Sequence, residues 1–232
     1  MFRAMIDFIG LAWPYLLFVI LSAYLLGSVN FAIIVTKFFT KTDIRDYGSG
    51  NAGATNVLRS QGKLPALLTI AGDLAKSAGA CLLGWWLMNL AAAGRPEVQS
   101  LLNADEREII GKYLAGLVCI IGHLYPIFFG FRGGKGVATT LGMSLILDWR
   151  AALVCLAIFT AVLLIWRMVS LGSIIAGLSL VVMTWLFRAF IDDQDRGIWL
   201  FSTIMAAGIV SLIIIKHIPN IKKIIKGTEN KF

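Results

Sequence analysis

Apolar stretches recur at roughly 11–36, 64–93, 112–130, 137–147, 151–166, 170–187 and 197–215, separated by polar segments rich in glycine and charge. Most approach or exceed the ~18 residues needed to cross a hydrocarbon core about 30 Å thick, and hardly a charge interrupts them, so the pattern predicts membrane-spanning helices. The 137–147 stretch is the exception: its 11 residues make only about 17 Å of helix. It predicts a half-crossing element shielded by protein, with Asp148-Trp-Arg150 as a tight turn into the next helix. The alternative, one kinked helix over 137–166, would bury that Asp and Arg and make the number of spans even.

The polar connections separate these readings. With alternating sides, one side receives residues 37–63 with five Lys/Arg against two acids, the Arg132/Lys135 loop, Arg167, and the tail from Lys216 with five Lys against Glu229. The other receives residues 95–112 with three Lys/Arg against four acids, the 148–150 turn, and residues 188–196 with two Arg against three acids. The excess of positive charge falls on one face, which the positive-inside rule assigns to the cytosol. The expectation is an all-α integral membrane protein of seven transmembrane helices, one of them short or half-crossing. It forms a single polytopic domain over residues 1–232, with an extracytoplasmic N-terminus and a cytoplasmic C-terminus.

Composition agrees: 58% of the 232 residues are apolar, 15% are charged, and mean hydropathy is positive, outside the ordinary soluble range. The net charge of +8 does not point to nucleic acid, since no polar surface interleaves basic and aromatic residues; topology accounts for it. Cys81, Cys119 and Cys155 lie inside apolar runs without metal-ligand spacing and read as small buried hydrophobes. The first apolar run ends in Lys37 without a cleavage signature and reads as a retained span. Gly27-Ser28, Ala71-Gly72, Ala78-Gly79-Ala80 and the small residues over 172–177 would let helices approach closely.

Two glycine-rich segments carry the candidate chemistry, and the topology brings both, with the Lys-rich tail, to the cytosolic surface. In Asp43-Ile-Arg45 through Arg59, Gly48, Gly50 and Gly53 alternate with Ser49, Asn51, Thr55 and Asn56. Such spacing suits a loop folded on itself, with N–H groups and short side chains converging on an anion and Arg59 available for a bidentate phosphate contact. Arg132-Gly133-Gly134-Lys135-Gly136 opens the short helix. The Walker spacing is absent, with Gly136 in the Ser/Thr place, yet exposed N–H groups, a helix N-terminus and Lys135 still make an anion site.

His123 and His217 are the only two histidines, and with no carboxylate or Cys cluster beside them no metal is expected. His123, inside a span, reads as a structural donor; His217, followed by Asn220, is better placed for a substrate contact. Ser170 and Ser173 face the same side, and Asp73 and Lys76, at i and i+3, can pair within the second span. Glu229, in a basic tail, reads as surface solvation unless the tail folds back.

In their order along the chain these motifs resemble the bacterial acyl-phosphate:glycerol-3-phosphate acyltransferases. Gly27-Ser28, Asp43-Ile-Arg45, Gly48 to Arg59, Asp73 with Lys76, Gly122-His123 with Pro126, Gly133 to Thr139, and His217 to Glu229 all correspond. The resemblance implies a seven-helix inner-membrane enzyme with its active site facing the cytoplasm. Its reaction would move a long-chain acyl group from acyl phosphate to the 1-hydroxyl of glycerol 3-phosphate, giving lysophosphatidic acid and phosphate without a cofactor. It assigns catalysis to Ser49, Arg59, Lys135, His217 and Asn220. Substrate binding falls to Gly50, Asn51, Gly53, Thr55, Asn56, Gly133, Gly134, Gly136 and Ser173, the last at glycerol 3-phosphate. It also implies a monomer in the lipid bilayer, supplied by a peripheral enzyme that makes acyl phosphate. Asn30, Ser77, Arg132 and Lys222-Lys223 depart mildly from the family's usual residues. The His-x-x-x-x-Asp of thioester-using acyltransferases is absent, since Phe128 follows His123 and Lys222 follows His217 at that spacing.

Overall fold

The computed structural model describes residues 2–231, which contain helices and no strand. The helices are α1 (Phe2–Ser28), α2 (Phe31–Thr40), α3 (Ala54–Gln61), α4 (Lys63–Ala92), the single turn α5 (Pro96–Gln99), α6 (Ala104–Leu124), α7 (Val137–Leu147), α8 (Trp149–Trp166), α9 (Val169–Leu186) and α10 (Arg196–Ile225). Among the described residues six stretches are long and apolar enough to cross a membrane: Arg3–Thr40, Lys63–Ala92, Ala104–Phe129, Trp149–Trp166, Val169–Ile191 and Arg196–Ile225, with Val137–Leu147 as a shorter apolar helix. This is the all-α membrane architecture, six full-length spans and one short element, that the hydropathy pattern predicts.

Several boundaries differ from the pattern's, each for a local reason. The first apolar stretch is two helices, because Asn30 takes an extended backbone and its side chain accepts a hydrogen bond from the Ile33 N–H, capping α2. The polar 94–111 connection contains the start of α6, nucleated by a reciprocal capping box between Asn103 and Glu106. The last helix runs ten residues past the predicted end at 215, to Ile225, with Pro219 inside it. Hydropathy falls at Lys216, but a proline removes only one intrahelical bond and does not stop the helix here. Asp148 takes an extended conformation and accepts from the N–H groups of Arg150 and Ala151. α7 and α8 are therefore separate helices, not one kinked rod.

The chain divides into two compact units, Met1–Leu147 and Asp148–Phe232. In the first, α1, α4 and α6 pack together, with α2, α3 and α7 against α4. Lipid gives helices no hydrophobic drive to associate, so backbone approach decides the contacts. A Cβ on Gly27 would lie 2.1 Å from the Cys119 carbonyl oxygen, and one on Gly84 would lie 2.3 Å from that of Gly111. Gly27 and Gly72 are thus close-approach positions as the sequence predicts, whereas Gly79 has open space and Gly84 and Gly111 carry a contact the pattern did not single out. All three cysteines are free and buried. In the second unit α9 packs against α8 and α10 around Ala151, Cys155, Leu180 and Val210. Arg150 joins this unit's loops by pairing with both Asp148 and Asp192, and that guanidinium holds the Asp192 carboxyl below its ordinary range.

One feature of α4 positions the first unit's loops. Lys76 reaches the Val29 carbonyl, at the α1/α2 break, and His123, at the end of α6. From Lys63 to Lys76 the helix rises about 20 Å, so nearly half of α4 extends past the end of α6. Against that half, at Ala66 and Gly72, pack α2, α3 and the first glycine-rich segment.

Candidate active site

In the first unit the loop after α2 is shaped by two side chains. Asp43 caps the 3-10 turn Ile44–Asp46 through the Arg45 N–H and grips the Arg45 guanidinium with both oxygens. Arg45 hydrogen bonding lowers the Asp43 carboxyl below its usual range, against the opposing effect of burial. The same guanidinium donates to the Phe129 carbonyl at 2.7 Å and the Arg132 carbonyl at 3.4 Å, tying this loop to the second glycine-rich turn.

Asn56 is the second organiser. It is 3% exposed; its Oδ1 accepts from the Ser49 N–H, and the two hydrogens of its Nδ2 are shared among the carbonyls of Ile44, Tyr47 and Asn51. One amide thereby folds the backbone from Ile44 to Asn51 around itself. Gly48 must be glycine here: its φ is +55° and a Cβ would stand 2.3 Å from Asn56 Oδ1. Around the amide, Ser49 and Gly50 are exposed, and Asn51, Gly53 and Thr55 are half-buried. Gly53 precedes the first turn of α3 in an extended conformation, and Arg59 lies exposed in its last turn. The polar, glycine-rich composition thus produces a loop folded on itself, as the spacing predicts, with Asn56 turned to the loop's own backbone.

The second segment leaves α6 at Tyr125, passes a short 3-10 turn at Ile127–Phe129, and returns over the end of α6. The Gly134 N–H donates to the His123 carbonyl. A Cβ on Gly133 would fall 1.9 Å from that carbonyl oxygen, and one on Gly134 would lie 2.3 Å from His123 Nε2 and 2.6 Å from the Ala52 carbonyl oxygen. The two glycine-rich segments, more than 70 residues apart in sequence, are therefore packed backbone to backbone. Lys135, half-buried, sits between buried Gly134 and Gly136 immediately before α7. A lysine beside a helix N-terminus can hold a phosphate.

The second unit gathers a different polar set. Ser173, 4% exposed, donates its hydroxyl to the Val169 carbonyl in the first turn of α9. His217, 2% exposed, lies on α10 with Nδ1 2.8 Å from the Ile213 carbonyl. Nδ1 therefore carries the proton, and in the neutral ring Nε2 is the acceptor. α10 ends in a Schellman turn: Gly227 has φ +68°, and the N–H groups of Gly227 and Thr228 bond the carbonyls of Ile224 and Lys223. This reversal folds Glu229 back, so that its Oε1 accepts from Asn220 Nδ2 at 2.8 Å and from Ser170 Oγ at 2.7 Å.

Glu229 and Arg45 are site-building residues that sequence reasoning did not assign. The signal for Glu229 was the glycine two residues before it, which marks a chain reversal after a basic helix. For Arg45 it was the Asp-x-Arg spacing, which suits a capped 3-10 turn.

A family model described as glycerol-3-phosphate acyltransferase matches residues 17–227. A glycerol-3-phosphate acyltransferase of Neisseria gonorrhoeae (strain NCCP11945) is 41% identical over 210 residues, covering 90% of this chain and 93% of that one. Glycerol-3-phosphate acyltransferase 2 of Bacillus anthracis is 40% identical over 212 residues, covering 91% and 96%. Among solved structures, crystals of an integral membrane glycerol 3-phosphate acyltransferase, PlsY (YgiH), are similar in both the glycerol 3-phosphate form and the lysophosphatidic acid form. The TM-scores are 0.75 and 0.73, at 35% identity over 94% of this chain and 95% of that one.

Proposed function

This chain belongs to the glycerol-3-phosphate acyltransferase family, acting in phospholipid synthesis, and we propose that its acyl donor is a long-chain acyl phosphate. The acceptor is the 1-hydroxyl of glycerol 3-phosphate: its oxygen forms the new ester bond with the acyl carbon, the bond from that carbon to phosphate oxygen breaks, and phosphate leaves. The hydroxyl proton passes to a phosphate oxygen, so no protein base is required. The mixed anhydride is already activated, and the protein's task is to place two anions and stabilise the charge developing on the carbonyl and leaving oxygens.

The observation that carries this reading is Lys135, half-buried just before the N-terminus of α7 and next to the close approach of the two glycine-rich segments. The N–H groups at that helix end and the lysine ammonium are the donors a phosphorylated headgroup needs, and the packed glycines fix the backbone that carries them. In this assignment the Ser49–Thr55 loop and the Gly133–Gly136 turn hold the acyl phosphate, with Lys135 and Arg59 as the first unit's cations for substrate phosphate; Ser173, His217 and Asn220 are the second unit's candidate contacts to glycerol 3-phosphate. The acyl chain lies among apolar helix surfaces, where each buried methylene contributes about 0.8 kcal/mol. The positive-inside pattern supports a bacterial inner membrane location with the loops facing the cytoplasm. A monomer receiving acyl phosphate from a peripheral enzyme fits the donor's solubility.

The donor is tested by incubating purified protein in detergent with labelled glycerol 3-phosphate and either palmitoyl phosphate or palmitoyl-CoA. Lysophosphatidic acid is expected from palmitoyl phosphate alone, with equimolar phosphate release. Product from palmitoyl-CoA and none from palmitoyl phosphate would overturn the donor.

Glu229 gives a second, smaller effect. Glu229→Ala removes the acceptor shared by Asn220 and Ser170 and is expected to raise KM for glycerol 3-phosphate about tenfold, through loss of the two charge-assisted hydrogen bonds that orient Asn220 and Ser170. It should also speed tryptic cleavage at Lys226. Glu229→Gln, which keeps an acceptor oxygen, should stay within threefold of the parent on both measures; equal behaviour of the two variants would remove the anchoring role.

A further inference from the structure

Beneath the Gly133–Gly136 turn lies a cluster of ionisable side chains that the reaction itself does not use. Lys76 Nζ is 2.7 Å from Asp73 Oδ1, 2.9 Å from His123 Nδ1 and 2.8 Å from the Val29 carbonyl oxygen. His123 Nδ1 also lies 3.5 Å from Asp73 Oδ1, and all three side chains are buried. The cluster joins the middle of α4, the α1/α2 break and the last turn of α6.

Joining three helices does not require ions. A buried pair inside a membrane-spanning helix is costly, and apolar side chains of similar volume fix such contacts at least as well. What an apolar trio cannot do is fix the orientation of an imidazole. The Lys76 ammonium can only donate, so His123 Nδ1 accepts from it and Nε2 carries the proton of the neutral ring. That sets both tautomer and ring plane, and Nε2 is the atom packed against the Gly134 backbone. His123 meets the turn a second way, through its carbonyl and the Gly134 N–H.

We propose that Asp73, Lys76 and His123 are positioning residues that hold the Gly133–Gly136 backbone, and through it Lys135, in the geometry the reaction needs. The inference rests on the assignment of Lys135 to a substrate phosphate, and it deepens that assignment by naming what holds the lysine in place.

The test uses the neutral double variant Asp73→Asn with Lys76→Met, which leaves no unpaired ion in the span. Two readouts are taken on the full chain in detergent. The first is hydrogen exchange of the peptide covering 131–136, with the interior of α6 as internal control. The second is kcat and KM in a cycle with Lys135→Ala. Faster exchange confined to 131–136 is expected, together with a kcat about tenfold lower and a KM within threefold of the parent. In the Lys135→Ala background the double replacement should cost clearly less than in the parent, because the lysine being positioned is gone and only the turn's own contacts remain to be lost. Unchanged exchange at 131–136, or losses that multiply in the cycle, would overturn the proposal. If the parent uses palmitoyl-CoA instead, the donor assignment fails by itself, and both readouts, taken with that donor, still decide the positioning role.

Discussion

Lys135→Ala is expected to lower the rate of lysophosphatidic acid formation at least about a hundredfold, the loss that follows removal of one preorganised donor to developing negative charge. Lys135 is the cation that the packed glycine segments flank, half-buried between two buried glycines at the start of α7. Partial burial strengthens its interaction with a phosphate relative to a fully solvated lysine. The helix N-terminus beside it adds favourable potential of the same sign. Lys135→Arg keeps the charge but replaces a compact ammonium with a longer planar fork in a space bounded by backbone, so it should recover only part of the rate. Steady-state kinetics with palmitoyl phosphate, on protein matched for thermal midpoint, check both variants. Activity of Lys135→Ala within twofold of the parent would remove the lysine from the mechanism.

The parts of this structure that were legible in the sequence are those governed by period and solvent. Bilayer thickness sets a length, and charge interrupts a span wherever the chain leaves it, so the spans and the short element at 137–147 follow from the order of apolar and polar residues. Helix ends did not follow, because capping by Asn30 and Asn103 and continuation through Pro219 depend on individual hydrogen bonds that hydropathy does not register. The glycine-rich segments advertised an anion site through composition, since small residues and amide side chains are informative in a membrane loop. Which of those side chains turns toward the backbone is a different matter, decided by burial. Asn56 illustrates the difference: its residue type suits a ligand contact, and its four polar contacts all go to the loop itself.

That arrangement makes Asn56→Asp the most discriminating replacement in the first loop. The change is isosteric and retains an acceptor for the Ser49 N–H, but it removes the NH2 group that donates to the Ile44, Tyr47 and Asn51 carbonyls. It also places a carboxylate oxygen against those three carbonyl oxygens, where like partial charges repel. Unsatisfied buried polar groups cost about 1–3 kcal/mol each, and between the buried anchors Ile44 and Ala52 the loop has no other buried apolar side chain to hold its shape. The loop is therefore expected to open in Asn56→Asp while α1, α4 and α6, which pack through other residues, stay folded. Activity should fall at least a hundredfold, as far as in Asn56→Ala or further, with helical circular dichroism unchanged and faster proteolysis within 45–53. A residue that merely accepted a hydrogen bond from a substrate would tolerate the aspartate better than the alanine. Activity of Asn56→Asp clearly above that of Asn56→Ala would show that its Oδ1 is what matters and that its NH2 group does not organise the loop.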